Sequence, residues 1–113
     1  MIKFVIDRNK NGTFEYTLVE SNGEVMLSGQ GYGSKQGCKI GIASVQNNAA
    51  SEEQYERKKA RNGKISFNLL SHNGRVIGTS CQFASEVLMD KAIKLMMKKT
   101  PTAKITDVTR QQA

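Results

Sequence analysis

The chain has no tryptophan, a single proline, a single histidine and two cysteines in 113 residues. Cys38 and Cys81 form no C-x-x-C pair and are too few for a disulfide framework. His72 has no cysteine or carboxylate near it at ligand spacing, and metal sites draw on three or four ligands, so no metal and no cofactor is implied. No run approaches the roughly 18 apolar residues of a membrane span. The N-terminal stretch MIKFVIDRNK lacks an apolar signal-peptide core. The expectation is a small cytoplasmic protein without a membrane partner, its thiols free and reduced. Catalytic constellations are equally scarce. No two carboxylates stand out as an acid–base couple, since Glu52 and Glu53 read as solvated linker residues, and nothing supports pairing a cysteine with His72 as nucleophile and base. Both cysteines read as packing residues and His72 as a structural or surface side chain. A non-enzymatic protein is expected.

Charge is what the chain does have. Seventeen basic residues face ten acidic ones, for a net charge of +7. Residues 1–51 carry five basic against four acidic, and residues 52–113 carry twelve against six. A basic half attracts polyanions, nucleic acid among them. The candidate residues are Arg57, Lys58, Lys59, Arg61 and Lys64 on a strand and hairpin, with Lys91, Lys94 and Lys98 at helical spacing. Strand alternation puts Arg57 and Lys59 on one face and Lys58 on the other, so the run makes no single flat patch. The three lysines fall opposite an apolar stripe, where solvated charge belongs in any case. With seven aromatics in all, base stacking has little to build on.

Sliding the chain against itself reveals a repeat at an offset of 51 residues without a gap. Between positions 4–51 and 55–102, eight of 48 residues are identical, among them Leu18/Leu69, Val25/Val76, Ser34/Ser85 and Ile42/Ile93. Asn11-Gly12 aligns with Asn62-Gly63, and Asn22-Gly23 with Asn73-Gly74. Aromatic and aliphatic character also matches at Phe4/Tyr55, Phe14/Ile65, Tyr16/Phe67, Met26/Ile77 and Tyr32/Phe83. The chain is a tandem duplication: repeat 1 over 1–51, repeat 2 over 52–102, and a closing strand and tail over 103–113, in one domain.

Each copy opens as a three-stranded meander. Asn-Gly marks hairpins, and the expected turn is type I′, with both residues at positive φ. Between the turns Phe14, Tyr16 and Leu18 alternate with polar residues, and Ile65, Phe67 and Leu69 repeat the pattern. Ile2, Phe4 and Ile6 mark a strand before the first turn, and Glu24 to Ser28 another after the second. The period then changes. Ser34 and Ser85 are candidate helix N-caps. From Ser85, Leu88, Ala92, Leu95 and Met96 form one stripe with Met89 and Ile93 beside it, and Pro101 ends the helix. The first helix carries Gly37 and Gly41, each costing about 1 kcal/mol against alanine, which points to something packed close to its backbone. The segment Gly29 to Lys35 reads as a glycine-rich loop between strand and helix, mainly a structural turn, with an anion contact through its backbone amides as the lesser reading, since it matches no phosphate-binding pattern. Extended stretches follow each helix, at Gln54 to Ala60 and Ala103 to Thr109.

The pieces predict an α+β fold, βββα-βββα-β. The two copies pair about a pseudo-two-fold axis into one antiparallel sheet, with both helices on its apolar face. The last strand is expected to cover an edge left by the second copy, as Gln54 to Ala60 does for the first. Because each copy finds its second half within the chain, a monomer with an internal pseudo-dimer is expected.

The segments QYERKKARNGKISFNLLSHNGRVIGTS, YTLVESNGEVMLSGQGYGSK and GIASVQNNA resemble the YegP-like family of bacterial domains of unknown function. That resemblance covers nearly the whole chain. It implies repeats of about fifty residues, single or tandem, and a curved antiparallel sheet, or half-barrel, flanked by helices. It implies no activity and no catalytic residues. Where the first helix keeps family-like Gly41-Ile42 and Ser44-Val45 pairs, the second has Ala92-Ile93 and Leu95-Met96. The expected role is a binding or interaction module with an unidentified protein partner. The alternative is a nucleic-acid-associated protein using its basic second repeat.

Overall fold

The computed structural model describes residues 2–109. Its elements run β1 (Lys3–Arg8), β2 (Phe14–Val19), β3 (Val25–Tyr32), α1 (Lys35–Asn48), β4 (Tyr55–Lys59), β5 (Ile65–Leu70), β6 (Val76–Ser80), α2 (Glu86–Lys99) and β7 (Lys104–Asp107). Single 3-10 turns at Glu52–Gln54 and Thr100–Thr102 follow the two helices. This is the order that the repeat predicts.

All four Asn-Gly pairs sit in hairpin turns, but the turns are not type I′. In each pair only the glycine has positive φ, at 83°, 88°, 83° and 84° for Gly12, Gly23, Gly63 and Gly74, and among the described residues no other residue type does. Each hairpin closes over four residues. Gly12 N–H donates to Asn9 O and Asn9 N–H to Thr13 O, and the same pair of bonds recurs at 20–24, 60–64 and 71–75. That is a type I turn followed by a left-handed glycine, a bulged hairpin that asks positive φ of one residue only. Asparagine side chains support it by a second route: Asn22 and Asn62 Oδ1 accept from the N–H groups of Glu24 and Lys64.

The strands form one seven-stranded sheet, ordered β4-β5-β6-β3-β2-β1-β7. Repeat meets repeat where β3 pairs antiparallel with β6, and Ser28 lies opposite Thr79. Those two residues are 51 apart, so the pseudo-two-fold axis passes between them. The edges differ from expectation. β7 does not cover the second copy; it pairs with β1 of the first, and in parallel, with Phe4 beside Ile105 and Ile6 beside Asp107. β4 pairs with β5 alone and forms the opposite edge of the sheet, covering nothing of the first copy. The reason lies in symmetry: β4 is itself the counterpart of β1, so it occupies the position of an outer strand and cannot also serve as a cap.

Both serines cap their helices. Ser34 and Ser85 accept from the N–H groups of Gly37 and Leu88, satisfying first-turn donors. α1 lies across β1, β2, β3, β5 and β6, and α2 lies against β5 near the sheet edge. One cluster joins Phe4, Ile6, Tyr16, Leu18 and Leu27 with Ile42 and Val45 of α1, Phe67 and Leu69 of β5, and Met89, Ile93 and Met96 of α2. Leu88 departs from the expected stripe and is 49% exposed. At the edge of the sheet only a narrow arc of α2 is covered, so Met89, Ile93 and Met96 are buried while Ala92, Leu95 and Met97 are half-buried.

Three glycines make room for tyrosines. A Cβ on Gly41 would fall on the hydroxyl of Tyr32 and 2.7 Å from its Cζ, so the close neighbour of α1 is a side chain of β3. Tyr16 lies over Gly29 and Gly78, where a Cβ would overlap its ring or hydroxyl. Its hydroxyl donates to Ile77 O, fastening the first repeat to the second. The Gly29–Lys35 segment is accordingly no loop. Gly29 to Tyr32 complete β3, and Gly31, at φ 87°, sits where the β2–β3 register shifts, marking a bulge. Only Gly33 and Ser34 lie between strand and helix.

Candidate functional site

The residue types that carry catalysis stay scattered. Among the described residues, no three of His, Cys, Asp and Glu gather into a metal-ligating group. His72 is exposed in the β5–β6 turn. Cys38 is buried in the core, and its thiol is pushed up from the ordinary value by desolvation first and by Glu15 and Asp107 second. Cys81 corrects an expectation. It is exposed beyond the end of β6 and does no packing in the core. Its thiol is also raised, chiefly by desolvation, so neither sulfur is biased toward the reactive thiolate.

The basic residues fall at one end of the sheet. Arg57, Lys58 and Lys59 lie on β4, Arg61 in the β4–β5 turn, Lys64 just before β5, and Lys91, Lys94 and Lys98 on the exposed side of α2. Arg57 ties the strand to the helix, its guanidinium 3.2 Å from Asp90 and 3.6 Å from Glu52. Lys58 sits 3.7 Å from Glu56. Part of the charge that the sequence gathers is therefore met by local carboxylates. The strand members split between faces as alternation requires, since Arg57 and Lys59 register with Phe67 and Ile65 on the helix side, whereas Lys58 registers with Ser66. Asn68 beside them donates to Glu56, so the open face is polar here too.

Two concavities stand out. One, of about 700 Å³, lies beside the start of β1 and β7 and is rimmed by Lys3, Lys99, Lys104 and Glu20, with Ile2 and Ala103 inside. The other is a groove of about 800 Å³ between α1 and the β5–β6 hairpin, lined by Ile40, Gly41, Tyr32, His72, Arg75 and Val76. Ile40 is 62% exposed and Val76 54%. Large aliphatics at such exposure in one depression are the usual sign of a contact surface. Sequence reading passed over them because Val76 matches Val25 in the repeat and Ile40 neighbours the buried Ile42. The available signal was phase: Cys38, Ile42 and Val45 define the inward side of α1, and Ile40 lies off it.

Comparison with known proteins places this arrangement. The profile of a domain of unknown function, DUF1508, matches residues 9–56 and again 60–107, two copies at the offset of 51 found by self-comparison. Both matches begin in a hairpin turn and end in the strand after the helix. The chain is 40% identical over 105 residues to the UPF0339 protein in the ptx operon 5′ region of Stutzerimonas stutzeri, spanning 93% of this chain and 95% of that protein. It is 40% identical over 82 residues to the UPF0339 protein YegP of Escherichia coli, 73% of this chain and 74% of the relative. Two solution structures superpose over almost the full length. For YegP of E. coli the TM-score is 0.89 at 32% identity, covering 98% of this chain and 96% of that one. For a UPF0339 protein of Shewanella oneidensis it is 0.89 at 36%, covering 96% and 92%. None of these descriptions assigns a role, and none mentions nucleic acid. With the profile matched twice, relatives at this identity and solved structures that superpose over almost the full length, the chain belongs to the DUF1508 family of proteins of unknown function.

Proposed function

We propose that this protein is a non-enzymatic interaction module of the cytoplasm, working through the groove between α1 and the β5–β6 hairpin. The observation that carries the reading is the pairing of exposed Ile40 and Val76 in one depression, with the Tyr32 ring between strand and helix. Apolar anchors in a concavity with a polar rim, here Arg75, His72 and Asn47, are how protein partners are held. The scattered catalytic residue types and the raised thiols favour binding over chemistry. The cytoplasmic placement rests on the two free cysteines. The chain acts as a monomer whose second repeat supplies the contact that a one-repeat protein would find in a second copy.

Parallel affinity capture with the wild type and with Ile40→Glu/Val76→Glu tests the reading. A partner retained by the wild type and lost by the variant, with the fold intact by circular dichroism, supports it. Equal capture by both proteins would overturn the choice of groove. Sedimentation equilibrium at micromolar concentration tests the monomer, and a tight dimer would refute it.

A further inference from the structure

The two outer strands of the meanders, β1 and β4, are counterparts 51 residues apart, yet among the described residues only β1 has a strand on its outer edge. On β1, β7 runs parallel and Val108 N–H donates to Ile6 O at 3.0 Å. The counterpart of Ile6 is Arg57. Alternation along the β4–β5 ladder fixes which backbone groups face outward. Ala60 N–H bonds inward to Lys64 O at 2.8 Å, so the outward set on β4 is Tyr55, Arg57 and Lys59. Tyr55 N–H is taken by Glu52 O, while the backbone of Arg57 and Lys59 faces away from β5 at the sheet edge. The strand is exposed from Glu56 to Lys59.

From this we propose that the β4 edge accepts an acidic, extended segment of a partner protein as an eighth strand, parallel to β4, as β1 accepts β7. Adding a strand to a free edge is an established mode of peptide recognition, in which main-chain bonds give affinity and alternate side chains give selectivity. Charge selects the occupant. Lys58, Lys59, Arg61 and Lys64 carry no acid of their own strand close enough to neutralise them all, and among the described residues only Lys58 of these has an ion pair, at 3.7 Å. Like charge opposes pairing with a second copy of the same edge, the usual purpose of lysines there. The same lysines favour carboxylates. The β1–β7 register supplies the pattern: an apolar residue beside Tyr55, as Ile105 lies beside Phe4, then a spacer beside Glu56 and acids beside Arg57, Lys58 and Lys59. Asp107 beside Ile6 already shows an acid at the matched place, where it reaches Lys35 at 2.9 Å. This surface lies apart from the α1 groove, so either proposal stands if the other fails.

The test uses the full chain and the blocked peptide Thr-Val-Thr-Glu-Asp-Glu, which follows that pattern. Amide hydrogen exchange by NMR should show the Arg57 and Lys59 amides slowed at least tenfold at saturating peptide. An N-methylated peptide of the same charge, unable to extend the ladder, should give no protection. The double variant Lys58→Glu/Lys59→Glu should lose the acidic peptide and gain one with lysines in place of the acids. Binding without protection of Arg57 and Lys59, equal binding of the N-methylated peptide, equal competition by single-stranded nucleic acid, or no binding at low salt would each overturn the proposal.

Discussion

Where Tyr32 of the first repeat lays its hydroxyl over Gly41, the second repeat has Phe83 and Ala92. The aromatic pairs correspond, Tyr16 with Tyr32 at 6.2 Å between centroids and Phe67 with Phe83 at 6.0 Å. One copy has an oxygen on the ring and no methyl on the helix; the other has the methyl and no oxygen. The same exchange recurs on the neighbouring strand. Tyr16 lies opposite Gly29 and needs its missing side chain, whereas Phe67 is matched by Ser80, whose Oγ accepts from Phe67 N–H. Duplicated sequences drift most freely at such compensating pairs, because a packed core registers total volume more strongly than the identity of each residue.

The outer strands drift for another reason. Phe4 and Ile6 of β1 are fully buried beneath α1 and beside β7, but in β4 only Tyr55 is buried and Arg57 stands in place of Ile6. A strand with a neighbour on one side only cannot keep an aliphatic residue dry, and charge there discourages pairing between molecules.

Truncating the shared cluster gives the largest effect. Phe4→Ala in the first repeat and Phe67→Ala in the second should each cost about 3–5 kcal/mol, measured by urea denaturation. Because the cluster is continuous, both should shift one cooperative transition of the whole chain. Two separate transitions, with each substitution moving only its own, would show that the repeats fold independently.

Exchanging the compensating pair sharpens the comparison. Gly41→Ala should cost about 1–3 kcal/mol by overpacking against Tyr32, and Tyr32→Phe in the same chain should restore most of it. Phe83→Tyr should likewise cost stability while Ala92 is present and be relieved by Ala92→Gly. A double-mutant cycle reads the coupling directly. Additive costs in both repeats would mean that the two pairs do not compensate.

A smaller effect comes from Thr100, the counterpart of Ala49. Both are buried, and the Thr100 hydroxyl has no hydrogen-bond partner among the described residues. Thr100→Val keeps the shape and removes the unpaired group, so it should raise stability by about 1 kcal/mol, seen as a higher denaturation midpoint at unchanged slope. A loss of comparable size would mean that the hydroxyl is satisfied in solution.

The smallest effect concerns the edge that is covered. Hydrogen bonds from the Thr109 side chain, then from Lys35, hold the Asp107 carboxyl well below the ordinary aspartate range. A depressed folded-state value contributes stability that is complete above the unfolded value, roughly 3.9, and is lost as pH falls through the folded one. Asp107 is exposed, so the loss on acidification should be slight and screened by salt. The protection factors of the β7 amides, which remove the intrinsic pH dependence of exchange, should fall with acid in the wild type, and Asp107→Asn should flatten that dependence. An identical acid response in the variant would remove Asp107 from the account.

Much of this architecture could be read before any coordinates. The offset of 51 residues, the four hairpins, the serine caps and the strand alternation are local or periodic features, written in residues a few positions apart. They arise from φ preferences and from burial of one face, which neighbours along the chain already dictate. The turn subtype was not legible. Asn-Gly suits several hairpins, and loop length, set by which strand residues pair, selected the bulged type I form. Helix phase was legible only in part: Leu88 belongs to an apolar stripe, but the breadth of sheet beneath α2 decided which half of that stripe is dry.

The sequence by itself determined that there are two copies, that each is a meander and a capped helix, and that the second carries the excess charge. Tertiary structure decided the rest: that β7 crosses to β1 and runs parallel, that β4 is left as a free edge, and that Ile40 and Val76 meet in one groove. These depend on contacts between residues dozens of positions apart, and no local preference encodes them, because a strand's hydrogen-bonding groups are equally able to serve any neighbour that arrives in register.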